Sequence, residues 1–138
     1  MNHRTNALVL ALTAIVLASL ACSSLETTPT VSNIRMTTDD TGETPTSNFA
    51  PGDDFYVFAD LAGLQAGSLI QAKWYAVDVE GVDANSEINT SDYTYESNIS
   101  YVYFQLGTSD GGDWPPGSYR VELYLDGTKV GEQGFTVR

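Results

Sequence analysis

The chain has 138 residues and a formal net charge of −12 at pH 7, from 18 acids against 6 bases. That balance makes nucleic acid and anionic lipid headgroups poor partners for its surface. A single cysteine excludes an internal disulfide, and a single histidine, His3, excludes a His-rich zinc site.

Residues 7–21 form an apolar run preceded by Arg4. In an α-helix this run spans roughly 22 Å, short of the ~30 Å hydrocarbon core of a bilayer. A basic start, an apolar stretch of this size and small residues at its end are the marks of a cleavable secretory signal. Residues 1–21 are therefore expected to be removed, and the processed chain loses His3 and Arg4 with them. Ser19-Leu20-Ala21-Cys22 resembles the bacterial lipoprotein signal, in which a small residue precedes the cysteine, although Ser19 stands where that family prefers Leu. The resemblance implies that Cys22 is the lipidated mature N-terminus, holding the protein at the extracytoplasmic face of the cell membrane. Two or three acyl chains give stable attachment where one is marginal. Ser19 and Ala21 equally satisfy the small-x-small rule of the ordinary signal peptidase, whose cut would leave Cys22 unlipidated.

After Cys22 the composition turns small and polar, Ser-Ser-Leu-Glu-Thr-Thr-Pro-Thr to residue 30. Residues 22–32 read as a flexible tether, because such a segment buries too little apolar area to offset its ordering entropy. Residues 33–138 suit one domain of ordinary size.

Within that domain the apolar periodicity is that of strands. A first strand over 32–37 points Ile34 and Met36 inward. Residues 53–61 alternate Phe55, Val57, Ala59 and Leu61 against Tyr56, Phe58 and Asp60. A short helical turn is expected over 62–67. Residues 70–77 set Ile70, Ala72, Trp74 and Ala76 against Gln71, Lys73 and Tyr75. A polar loop follows, and then 100–106 sets Val102, Phe104 and Leu106 against Tyr101, Tyr103 and Gln105. Residues 119–125 set Tyr119, Val121, Leu123 and Leu125 against Arg120, Glu122 and Tyr124. The last strand, 129–137, points Phe135 and Val137 inward, and its Gly131 and Gly134 suggest a bulge or irregular edge. Asp126-Gly127 before it is a hairpin signal, since both residues tolerate positive φ.

About seven short antiparallel strands with regular turns argue an all-β, two-layer sandwich. Two segments carry a resemblance to the immunoglobulin-like (or fibronectin-like) domains of bacterial envelope proteins. These are Ala-Lys-Trp-Tyr-Ala-Val around Trp74 and Trp-Pro-Pro-Gly-Ser-Tyr-Arg-Val-Glu-Leu-Tyr-Leu-Asp-Gly over 114–127. The resemblance implies that Trp74 is the buried core tryptophan and that Tyr119 bonds through its hydroxyl to the preceding corner, both structural roles. Val57 and Val121 stand where antibody domains place their two cysteines, so packing replaces the bridge.

No convergent catalytic set is visible. Asp53 and Asp54 are adjacent on a strand and point to opposite faces. Asp78, Glu80, Asp83, Asn85 and Glu87 lie in a polar stretch without the ordered spacing of a calcium loop, and Asp110 and Asp113 are at best weak calcium candidates in a flexible acidic turn. The better lead is aromatic. Tyr56, Phe58, Tyr75, Tyr101, Tyr103 and Tyr124 fall opposite the core face and Trp114 lies in a loop, so Tyr56, Tyr75, Tyr101, Tyr103, Tyr124 and Trp114 form a candidate ligand face for a sugar or a protein. Cross-strand ring pairs and partial loop cover are the competing structural reasons for the same pattern. The sequence thus predicts a lipid-anchored extracytoplasmic protein, not an enzyme and without cofactors. Its sandwich is expected to bind or space a protein partner in the envelope, or alternatively to bind polysaccharide, and not nucleic acid.

Overall fold

A computed structural model of the protein describes residues 27–138; the expected signal and Cys22 lie outside the described residues. Eight strands follow one another: β1 (Thr30–Thr37), β2 (Asn48–Phe49), β3 (Phe55–Ala62), β4 (Leu69–Val79), β5 (Ser86–Thr94), β6 (Tyr101–Leu106), β7 (Gly117–Leu125) and β8 (Thr128–Val137). They form two sheets, a three-stranded one in the order β1-β3-β6 and a five-stranded one in the order β2-β8-β7-β4-β5. Every pairing is antiparallel except the short β2–β8 contact. The result is the predicted all-β sandwich, with β1 starting at Thr30, inside the stretch expected to be tether.

Alternation places the inner faces as the sequence indicates. Phe55, Val57, Ala59 and Leu61 of β3, Ile70, Ala72, Trp74 and Ala76 of β4, and Val121 and Leu123 of β7 are all buried in one core. Phe55 is its hub. Its ring meets Phe49, Trp114 and Phe135 at centroid distances of 5.0, 4.7 and 4.7 Å, and Tyr119 and Trp74 at 6.0 and 6.4 Å. Burying each such ring stabilises the fold by roughly 1.5–3 kcal/mol relative to leaving it in water. Val57 and Val121 are both fully buried, so the positions of an antibody disulfide are filled by hydrocarbon.

The irregularities have local causes. Asp126 and Gly127 take φ of 49° and 83°, the two positive values that a type I′ hairpin requires, and β7 and β8 pair across them. In β8 the register steps at Val130, between the partners of Tyr124 and Leu123. Beside that bulge Gly131 lets Ile34 of β1 approach where a Cβ would collide with it. A second bulge in β1 centres on Asn33, with φ of 50°, whose side chain is tied to Asp60.

Three expectations are corrected. Residues 62–67 are not a helical turn, because Gly63 and Gly67 adopt φ of 69° and 93° and the Gly67 N–H is directed across to the Tyr95 carbonyl. Much of the polar stretch after Trp74 is strand: β4 runs on to Val79, and Ser86 opens β5, an edge strand beside β4. An edge strand covers only the rim of the core, so β5 lacks the apolar alternation that would reveal it. Phe58, expected on the outer face with the tyrosines, does lie there but is buried beneath a cover of its own.

Candidate binding surfaces

The sandwich separates the aromatic residues that alternation groups together. Each sheet has one face in the core, so the outer faces of β3 and β4 point to opposite sides of the molecule. Tyr56, Phe58, Tyr101 and Tyr103 lie on the outer face of the three-stranded sheet, while Tyr75 and Tyr124 lie on the outer face of the five-stranded one. Trp114 is at one pole, with its ring stacked 4.7 Å from Phe55 and its indole N–H buried without an acceptor. The expected single face of Tyr56, Tyr75, Tyr101, Tyr103, Tyr124 and Trp114 is therefore three separate places.

On the three-stranded sheet the rings form a cross-strand ladder. Tyr103 packs on both Phe58 and Tyr56, at 5.2 and 6.1 Å between centroids, and Tyr101 stacks on Phe58 at 6.3 Å. Phe58 is closed over by the Arg35 guanidinium, 5.3 Å from its centroid, and by the backbone at Gly42. Arg35 in turn pairs with Asp60 at 3.1 Å. Hydrogen bonds from Asn33 and Arg35 outweigh partial burial and hold the Asp60 carboxyl below its usual range. Tyr101 and Tyr103, at 50% and 43% exposure, are the large rings of this ladder that remain open to solvent.

The outer face of the five-stranded sheet is closed by charge. Glu122 is buried, at 7% exposure, and its carboxylate accepts hydrogen bonds from Tyr124 Oη at 2.6 Å, Arg120 Nε at 2.9 Å and Lys129 Nζ at 3.1 Å. Lys129 also pairs with Glu132. Lys73 stands over the Tyr124 ring and Arg120 over the Tyr75 ring, at 4.8 and 4.9 Å. Tyr75 and Tyr124 are thus engaged by their own sheet through cation–π contacts and hydrogen bonds. Burial, with the Glu122 charge next, raises the Tyr75 phenol, and the hydrogen bond to Glu122 pushes Tyr124 up to about 12.

The acidic turn after β6 lines a cleft of about 380 Å³ with Ile88, Leu106, Asp110, Asp113, Trp114 and Pro115. No group of three or more His, Cys, Asp or Glu side chains is arranged to hold a metal ion among the described residues, so Asp110 and Asp113 gain no third ligand of these types. Three of the other acids are engaged by neighbours: Asp53 accepts from the Ala50 N–H, Asp54 from Gln105, and Glu87 from Thr90.

Trp74 is fully buried on β4, and Tyr119, near the start of β7, donates its hydroxyl to the Pro115 carbonyl four residues upstream at 2.6 Å. Burial alone raises the Tyr119 phenol above its ordinary value.

A further hollow, of about 310 Å³, is lined by Tyr93, Ile99, Tyr101, Val102 and Tyr103. It lies where the β5 and β6 edges of the two sheets face each other. In the sequence Tyr93 is ambiguous because β5 has no clear alternation, and Ile99 is missed because it lies in the connection between β5 and β6. One signal was available: between Lys73 and Arg120 the chain contains no Lys, Arg or His.

No protein-family model and no curated protein matches the chain. Among solved structures it is similar to an immunoglobulin-like protein from Pseudomonas aeruginosa, at 14% identity over 83% of this chain and 99% of that one, with a TM-score of 0.60. It is also similar to a β-glucosidase involved in saponin metabolism from intestinal bacteria, at 14% identity and a TM-score of 0.53, and to a β-glucosidase from Listeria innocua, at 12% and 0.51. This chain spans only 16% of either glucosidase, although 81% and 80% of it is matched. At these identities the likeness is one of fold: an immunoglobulin-like β-sandwich.

Proposed function

We propose that this immunoglobulin-like sandwich is the binding module of a lipid-anchored extracytoplasmic protein and that it engages a protein partner in the envelope without catalysis. One observation carries the binding role: Tyr101 and Tyr103 stay exposed beside an apolar hollow, on an edge strand, while the tyrosines of the opposite sheet are engaged by their own neighbours. Exposed tyrosines on a rigid scaffold are effective anchors, because they contribute large contact area at low conformational cost. The anchoring rests on the sequence, on the basic start, the short apolar run and the Ser19-Leu20-Ala21-Cys22 junction.

Two measurements test this reading. Labelled palmitate should enter the wild-type chain in a bacterial host and be lost in Cys22→Ala; equal labelling of both, or of neither, overturns the anchor. An envelope extract passed over the immobilised chain should yield one specific protein whose retention drops in Tyr101→Ala. A second reading, carbohydrate binding, is favoured by the spacing of Tyr101 and Tyr103 two residues apart on one face, where two rings can stack on successive sugars. A glycan array separates the two, since saccharide binding lost in Tyr101→Ala without a protein partner supports the second.

A further inference from the structure

The two sheets end in four edges, and three carry devices that discourage further pairing. β1 holds the Asn33 bulge and Arg35, β2 is two residues long, and β5 exposes Glu87 and Asp92. Bulges, short strands and charges are the means by which natural sheets protect their edges. β6 has none of them. Its sequence, Tyr-Val-Tyr-Phe-Gln-Leu, is uncharged, free of Pro and Gly, and rich in β-formers.

The direction of its free backbone groups follows from the register. Leu61 N–H donates to the Ser100 carbonyl at 2.7 Å, which makes Leu61 and Ser100 a hydrogen-bonded pair. Such pairs alternate with non-bonded ones along antiparallel strands. Ala59↔Val102, Val57↔Phe104 and Phe55↔Leu106 are therefore the bonded pairs that continue the ladder. Tyr101, Tyr103 and Gln105 consequently direct their N–H and C=O groups away from β3, to the open edge.

A strand laid along that edge alternates its side chains. One set lies on the Val102 face, which calls for apolar residues, and the other lies on the face of Tyr101 and Tyr103, whose exposed rings line the hollow together with Tyr93 and Ile99. Acids prevail around that edge: Asp54 bonds to Gln105, Glu87 and Asp92 are exposed on the facing β5, and Arg35, the base over the Phe58 ring, is already paired with Asp60. Two copies pairing through β6 would bring these acidic sides together, which disfavours self-association.

We infer that β6 accepts an added strand from a protein partner: an extended segment that alternates apolar residues with Lys or Arg and bonds to the main chain of Tyr101, Tyr103 and Gln105. Main-chain bonds supply the affinity and the hollow and charge supply the selectivity, as in other strand-addition sites. The inference rests on the proposal that the domain binds a protein, and it names the surface and the chemistry of the segment.

The test uses the full chain, isotope-labelled, and two synthetic probes, Lys-Val-Lys-Val-Lys-Val and Glu-Val-Glu-Val-Glu-Val. The basic peptide should slow amide exchange at Tyr101, Tyr103 and Gln105 and bind more tightly than the acidic one. Tyr103→Pro removes an edge N–H while leaving the main-chain bonds to β3 in place, and should weaken binding about tenfold beyond Tyr103→Ala, which controls for the lost ring. Tyr103→Lys, a surface change that keeps the fold, should weaken it through repulsion. Equal affinity for the two peptides, no binding at millimolar peptide, protection confined to β5 or the 107–116 loop, unchanged binding in both Tyr103→Pro and Tyr103→Lys, or self-association through β6 would each overturn the inference. If wild type and Tyr103→Pro capture the same envelope protein equally well, the edge is not the site and the binding-module proposal stands. Peptide binding at β6 with no envelope protein captured supports the edge and overturns the envelope partner.

Discussion

Tyr124 Oη lies 2.6 Å from the Glu122 carboxylate, two residues earlier on β7, and this one bond sets how the outer face of the five-stranded sheet responds to pH at both extremes. Burial pushes Glu122 up, but hydrogen bonds from Tyr124, Lys129 and Arg120 together outweigh it and hold the carboxyl below its ordinary value. A depressed folded pKa gives stability that is present above the unfolded value of about 4.3 and is lost as pH falls through the folded one. Denaturant melts of wild type should therefore weaken in that acid window, and Glu122→Gln should flatten the loss. At neutral pH the same variant should cost about 1–2 kcal/mol, limited by the exposure of Lys129 and Arg120.

At the alkaline end the sign reverses. Tyr124 titrates at about 12 in the folded chain, so its contribution is complete below the unfolded value of about 10 and disappears between the two. Tyrosine absorbance followed through pH should lose its latest phenolate in Tyr124→Phe, while the raised Tyr75 and Tyr119 phenols remain.

Tyr119→Phe deletes the hydroxyl that holds the Pro115 carbonyl and should cost about 1 kcal/mol in a urea melt without changing its slope. A markedly smaller loss would show that the corner is held by its prolines and by the bond from the Trp114 backbone N–H to the Pro51 carbonyl.

Trp74→Ala empties the centre of β4, between Val121 of β7 and Asn89 of β5, and should cost roughly 3–5 kcal/mol. Intact thermal stability in that variant would contradict the packing around Phe55.

Gly117 opens β7 at φ of 155°, and a Cβ there would sit 2.5 Å from the Asp78 carbonyl oxygen. Backbone cannot swing aside as a side chain can, so Gly117→Ala should cost more than about 1 kcal/mol, read as a lower melting temperature.

The strands that cross the middle of the sandwich were legible because one face of each is core and the other is not, as in β4, where Ile70, Ala72 and Trp74 alternate with Gln71 and Lys73, and in β7, where Val121 and Leu123 alternate with Arg120 and Glu122. The Asp126-Gly127 hairpin was legible because a positive φ leaves a local signature. β5 was not, since a strand that covers only a rim needs no second apolar residue for each polar one. The tyrosines were correctly set opposite the core, but alternation cannot tell which sheet a strand joins. Tyr75 and Tyr101 therefore read alike although they face opposite sides of the molecule. Phe58 was rightly set on the outer face, but its burial was not legible: its cover comes from Arg35 and Gly42, distant in sequence, and nothing in 53–61 announces them.

The direction in which β1 enters has a consequence for orientation. Thr30 pairs with Ala62, and the turns at 63–68 and 126–127 share that pole, with Asp126 bonded to Leu69. The 107–116 loop and Arg138 lie at the other pole, where Trp114 bonds to Pro51 and Arg138 to Phe49. An eight-residue strand is about 26 Å long at 3.3 Å per residue, so the two poles stand roughly that far apart. A domain held through Cys22 would be tethered from its 63–68 pole, with the Asp110 turn at the far end and the length of β6 along its flank, open to a neighbour from the side.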